Sequence, residues 1–351
     1  MSGELRIGLI GLGAMGANHQ RTWQEVSAGR VVAVADPDAD LAQSRIGDRK
    51  IAWYADHRDM LDRERLDAVC VCVPSEHHAA VGLDVIDAGA HVLIEKPIAT
   101  TLEDGLRLTS RARIAGVKLM VGHVERFNPA VQRAQELVAE GAIGRVFRAH
   151  ATRVGPLPLR IKDAGVAVDL ATHDLDIMQL VLGEEITRIY AEGTRFAHPE
   201  HEDMVSCLLR FGDDGPYGLL DVNWLTPEKR RELTIIGEGG MLRAEYLTQD
   251  LRLTEAASPD SGWPELSRLH GDCESREIRL ALRRVEPLRA ELEAFAACIV
   301  DDTPEPVSGR DGCRALAAAL AVRESVSASR PVTLLGMPAT PALVSQGSKE
   351  I

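Results

Sequence analysis

Apolar residues recur along the first 120 positions in short continuous runs, at 5–10, 31–35, 68–73, 91–94 and 118–121. Stretches of helical period lie between them, from the first glycine cluster to about residue 27, at 77–88 and at 102–115. Short, near-continuously apolar strands alternating with helices predict a parallel sheet covered on both faces. The pattern changes after about residue 145. Runs at 186–196, 204–211, 217–224, 231–237 and 241–246 follow one another as strands, with Gly212-Asp-Asp-Gly215 and Gly237-Glu-Gly-Gly240 as hairpin turns. Strands in succession without helices predict a mostly antiparallel, open sheet in an α+β unit. Helices are expected at 287–300 and 310–328, a polar loop at 258–277, and a loosely held tail after residue 335. The chain therefore divides into 1–123, 124–335 and a tail at 336–351.

Composition narrows the class. With 351 residues, 45% of them hydrophobic, the chain has enough apolar content for two globular units. No window approaches 18 consecutive apolar residues, and the first residues have no basic or apolar leader. The expectation is a cytoplasmic protein that neither crosses nor sits on a membrane. A net charge of −13 argues against a nucleic-acid surface. The six cysteines have no zinc-ligand spacing and read as reduced thiols.

The run 7–10 enters Gly11-Leu-Gly13-Ala14-Met15-Gly16, a G-x-G-x-x-G turn between a strand and a helix. Gly11 suits the tight turn, Gly13 the approach of a pyrophosphate, and Gly16 the packing of helix on strand. The helix N-terminus, with Ala14 and Met15 in its first turn, then faces the phosphates. Asp36 ends the second strand 25 positions after Gly11, placed to accept both ribose hydroxyls of an NAD adenosine. No arginine follows it to receive a 2′-phosphate, so NAD is expected rather than NADP. Glu95-Lys96-Pro97 leaves a strand at the carboxyl edge of the sheet, where ligands bind in open α/β folds. Lys96 there has a donor for a hydroxyl or carbonyl oxygen. Further on, Asp169 and His173 are four apart and share a helix face, with Asp176 beyond them. His173 is an acid–base candidate, and Asp169 is a candidate to orient it or a hydroxyl. Helix capping by Asp169 and a metal site from Asp169, His173 and Asp176 are the alternatives. No further metal ligand is evident, and none is expected to bind.

These motifs, with Val73-Pro74-Ser75-Glu76-His77-His78, resemble the glucose–fructose oxidoreductase/inositol dehydrogenase/rhizopine-catabolism (Gfo/Idh/MocA) family over nearly the whole chain. The resemblance implies a Rossmann domain followed by a domain whose open antiparallel sheet forms a homodimer or homotetramer. It implies NAD-dependent oxidation of a ring hydroxyl on a sugar or inositol. By that resemblance Lys96 and His173 are catalytic, Asp169 binds substrate, and Pro74, Ser75 and His78 lie by the cofactor with Glu95. Residues 122–129 and 153–165 resemble more narrowly the UDP-N-acetylglucosamine 3-dehydrogenase branch. Arg153, Arg160 and Lys162 read as a basic loop before Asp169, suited to pyrophosphate. Glu125, Arg126 and Asn128 are candidates for sugar or cofactor contact, or for capping the helix after Pro129. Other polyol dehydrogenases, a deoxysugar ketoreductase, a glycosidase working through a 3-keto sugar, and a nucleotide-sensing protein without chemistry remain alternatives.

Overall fold

A computed structural model describes residues 4–47, 49–157, 164–256, 276–334 and 336. The first sheet holds β1 (Leu5–Ile10), β2 (Gly29–Ala35), β3 (Ala52–Tyr54), β4 (Ala68–Val71), β5 (His91–Glu95) and β6 (Leu119–Gly122). Their order, β3-β2-β1-β4-β5-β6, is that of a doubly wound dinucleotide fold, and every pairing is parallel. The helices between them are α1 (Ala14–Trp23), α2 (Ala39–Ile46), α3 (His57–Arg63), α4 (His78–Asp87) and α5 (Leu102–Ala115). Helix α1 is shorter than its apolar pattern suggests and stops at Trp23. That ring is buried, and its Nε1 donates to Cys70 Sγ.

After α6 (Pro129–Ala139) the chain builds a nine-stranded sheet from β7 (Val146–Pro156) onward. It continues with β8 (Ile186–Thr194), β9 (Met204–Phe211), β10 (Tyr217–Asn223), β11 (Leu225–Gly237), β12 (Gly240–Glu245) and β13 (Asp250–Glu255). Strands β14 (Arg276–Leu280) and β15 (Val332–Thr333) form its edges. Only β7 and β10 pair in parallel. Both glycine hairpins form where expected, joining β9 to β10 and β11 to β12. The polar pattern hid β7 altogether, and the expected loop at 258–277 gives its last two residues to β14. Its preceding residues, and the tail apart from Gly336, fall outside the described ones.

Helices α7 (Val166–Asp169), α8 (Ala171–Leu182) and α6 lie on one face of this sheet, against buried Ala151, Ala191, Leu220 and Ala244. The other face carries Tyr190, Leu208, Leu219 and His150 in one cross-strand row, with Leu208 49% exposed. Two helices close the chain, α9 (Pro287–Val300) and α10 (Gly309–Ala328). Leu288, Leu292, Phe295 and Ala296 of α9 pack into the core of the first sheet, not the second. Helix α10 spans both cores: Cys313 and Leu316 join the first, Ala318 and Val322 the second. This shared helix fixes the edge of the parallel sheet against the second unit. No helix among the described residues is long and apolar enough to cross a membrane.

Candidate active site

The glycine turn has the form that a dinucleotide requires. Gly11 has φ +87°, and a Cβ there would lie 2.7 Å from the Cys72 carbonyl oxygen. A Cβ on Gly16 would lie 1.9 Å from the carbonyl oxygen of Gly11, so α1 could not approach β1. Gly13 faces open space and offers α1 no side-chain cap. The first-turn N–H groups, including those of Ala14 and Met15, are thus left for an anion. Asp36, nearly buried, accepts from the Leu12 and Asp38 N–H groups at 2.7 and 2.9 Å, which fixes its carboxylate beside the same turn. These residues fit NAD, with Pro74 and Ser75 on the adjoining loop after β4.

Lys96 leaves the end of β5 through a cis Lys96–Pro97 peptide. Its Nζ donates to the Asp169 carbonyl oxygen and to Asp169 Oδ1, both at 2.9 Å. This ion pair joins the parallel sheet to the end of α7, and both side chains are mostly buried. Asp169 ends α7 and His173 follows in α8, so the single helix face expected for the pair is divided between two helices; His173 Nδ1 is buried and without a partner. Burial, then the charges of Lys96, Arg153, His123 and Arg231, press its pKa well below the usual histidine value. It is neutral at neutral pH, with a lone pair able to take a proton. The structure therefore brings Lys96, Asp169 and His173 together at the carboxyl end of β5, two strands from the β1 that carries the glycine turn. Asp176 stands apart from them, its carboxylate gripped by Arg126.

Several expected ligand contacts have other work. Arg153 is not on a loop. It lies inside β7, 2% exposed, bound to Asp174 (Nε–Oδ2 2.5 Å) and Glu125 (Nη1–Oε1 3.0 Å), over the Tyr246 ring. Burial opposes its charge, but Asp174 and Glu125 outweigh burial and hold the guanidinium ionised. It has no free edge for phosphate. Arg126 is likewise spent, with Nε and Nη2 on the two oxygens of Asp176 at 2.7 and 2.5 Å. Asn128 caps α6 through Ala130 N–H and donates to the Tyr246 carbonyl oxygen. Arg160 and Lys162 lie outside the described residues. His78 is buried, its Nδ1 2.6 Å from Pro97 O and its Nε2 2.9 Å from Val73 O, so it ties two strand-end loops together. Glu95 turns behind the glycine turn to His19 Nε2, at 2.8 Å.

That last pair belongs to a buried group invisible to motif reading. Glu291, on α9, is fully buried with both carboxylate oxygens unpartnered, within electrostatic reach of Glu95 and His19. Burial, then the Glu95 charge, pushes its pKa well up, so it stays protonated. A carboxyl that keeps its proton only when folded favours the folded state below the ordinary glutamate pKa. That advantage is lost as pH rises toward the folded-state value, at about 1.4 kcal/mol per pH unit. Glu291→Gln removes the penalty. Its melting-temperature gain over wild type should be near zero at about pH 4 and grow toward neutrality. A gain independent of pH would contradict the assignment.

Two family models match the chain. Residues 5–123 match the oxidoreductase family with an NAD-binding Rossmann fold, and residues 131–243 match the GFO/IDH/MocA C-terminal domain. The chain belongs to the GFO/IDH/MocA oxidoreductase family. As a member of it, the protein is an NAD-dependent oxidoreductase acting on CH–OH groups. It is 27% identical to the myo-inositol 2-dehydrogenase of Thermotoga maritima, over 94% of this chain and 98% of that one. It is 28% identical to the UDP-N-acetylglucosamine 3-dehydrogenase of Acidithiobacillus ferrooxidans, over 93% and 98%. A crystal structure of the latter superposes with a TM-score of 0.81, covering 93% of this chain and 98% of that chain. The WlbA dehydrogenase of Bordetella pertussis, solved with NADH and UDP-GlcNAcA, has the same fold at 24% identity and TM-score 0.81, over 95% and 98%.

Proposed function

We propose that this oxidoreductase removes hydrogen from C3 of a sugar nucleotide such as UDP-N-acetylglucosamine, giving a 3-keto sugar. The observation that carries the chemistry is the Lys96–Asp169 ion pair with neutral His173 beside it, at the carboxyl edge of the dinucleotide sheet. NAD, when bound, supplies the hydride acceptor. Asp169 and Lys96 orient the ring hydroxyl, and His173 takes its proton. Holding the ring carbon against the cofactor is the larger part of the rate gain. The similarity to the Acidithiobacillus 3-dehydrogenase supports the choice of substrate. With Arg153 engaged internally, half-buried Arg231, whose charge bears on His173, is the cation we assign to a pyrophosphate among the described residues, and Arg160 and Lys162 stay candidates from the sequence alone.

The test is NADH formation, followed by absorbance, with UDP-N-acetylglucosamine against free myo-inositol. Turnover of the sugar nucleotide at least tenfold faster supports the reading. Preference for myo-inositol would overturn it in favour of the activity named for the Thermotoga relative.

The open face of the large sheet is the proposed contact between copies, as a homodimer or homotetramer. Exposed Leu208 and Tyr217, with Tyr190 and Leu219, make an apolar strip that a second copy would cover. Leu208→Asp should convert the assembly to monomers in light scattering after size-exclusion chromatography. An unchanged mass would place the interface elsewhere.

A further inference from the structure

The motif at 122–129 contains a residue that the proposed chemistry leaves unused, His123. Glu95 and Gly122 are register partners in the parallel sheet, so Lys96 and His123 leave adjacent strand ends side by side. His123 is 1% exposed, and neither ring nitrogen has a hydrogen-bond partner among the described residues. Asp176 Oδ2 lies 3.7 Å from His123 Nδ1, beyond hydrogen-bond reach, and is held by Arg126. His173 has the same defect on one side only. Its Nδ1 is buried and unpartnered, whereas its Nε2 is not among the buried unpartnered atoms. His123 is also among the groups whose charge bears on His173, and the turn Val124–Phe127 that follows His123 packs against α8.

A neutral imidazole carries one N–H and one lone pair, and burying both unmet is costly. Two such rings in one buried cell can satisfy each other through a water, which needs two to four polar partners. We propose that His123 is a positioning residue for His173. Asp176, 3.7 Å from His123 Nδ1, favours the proton on that nitrogen, so one bridging water donates to His123 Nε2 and accepts from His173 Nδ1–H, holding His173 in the tautomer whose Nδ1 bears the proton. Its Nε2 is then the acceptor that meets the substrate hydroxyl. Without that tie, His173 divides between two tautomers, and only one of them accepts at Nε2. The proposal rests on reading His173 as the proton acceptor.

The test combines imidazole ¹⁵N spectra of histidine-labelled, NAD-loaded protein with steady-state kinetics on the sugar substrate. His173→Gln assigns the His173 signals. In wild type, His173 should show a single Nδ1–H tautomer. In His123→Ala the two tautomers should mix, and kcat should fall about tenfold with KM nearly unchanged. His123→Gln, with a donor and an acceptor on one amide, should restore most of both and covers the case in which His123→Ala does not fold. An unchanged His173 tautomer in His123→Ala overturns this proposal alone. Wild-type-like turnover in His173→Ala overturns instead the reading of His173 as the acceptor, and the spectra tell the two failures apart.

Discussion

Lys96→Met is expected to lower turnover by about 10²–10⁴-fold, the range for losing a positioned acid–base or donor group, while NAD affinity changes only a few-fold. Methionine keeps much of the aliphatic stem, so packing around Pro97 survives and the ammonium alone is lost. Lys96 is the link between the end of β5 and Asp169 at the end of α7. Removing it leaves a carboxylate that still reaches solvent, at 22% side-chain exposure, so the fold should lose little. NADH fluorescence titration separates the two effects. Parallel loss of cofactor affinity and turnover would assign Lys96 to holding NAD and not to the substrate.

Arg153→Met is expected to be the most damaging single change to stability, at about 3–5 kcal/mol. Asp174 is fully buried and has the Arg153 fork as its charged partner. Its charge would be stranded between α8 and β7. Glu125 would keep a weaker contact with Arg231, at 3.4 Å. Arg153→Lys should recover only part of the loss, because an ammonium cannot serve both oxygens of Asp174 and Glu125 at once. Pairing Arg153→Met with Asp174→Leu should regain much of the stability by removing the stranded charge. Urea unfolding of the three variants checks the order. Near-wild-type stability of Arg153→Met would mean the guanidinium is not structural.

Legibility in the sequence followed how local each feature is. The positions of Gly11–Gly16, Asp36 and Lys96 were readable because each lies within a few residues of a strand end, where chain direction dictates what faces the crevice. The spacing of Asp169 and His173 singled the pair out, but the break at Leu170 was not readable: Asp169 ends α7 and His173 lies in the first turn of α8. Arg153 was misread because Arg160 and Lys162 follow it closely and together they look like a basic loop. The alternation Ala149, Ala151, Arg153 on the inward side of β7 was the signal available, yet an inward arginine contradicts the usual pattern for a strand. Its partners, Glu125 and Asp174, are 28 and 21 residues away, and no spacing rule reaches them. Asn128 was readable as a cap, and that reading prevailed over substrate contact. Glu291 and His19 meet only because α9 returns across the whole chain. Periodicity gives α9 an apolar face but does not say which core receives it.

That return also orders events during synthesis. Leu292 and Phe295 complete the hydrophobic interior around the first sheet, although the strands of that sheet are made by residue 122. At roughly 5–20 residues per second, α9 leaves the ribosome on the order of ten seconds or more after β6. Until then the nascent dinucleotide unit exposes an apolar groove, and a fragment ending near residue 123 would keep it open. The cofactor-binding unit is therefore completed after strands β7–β14 of the second sheet, in the reverse of their order along the chain.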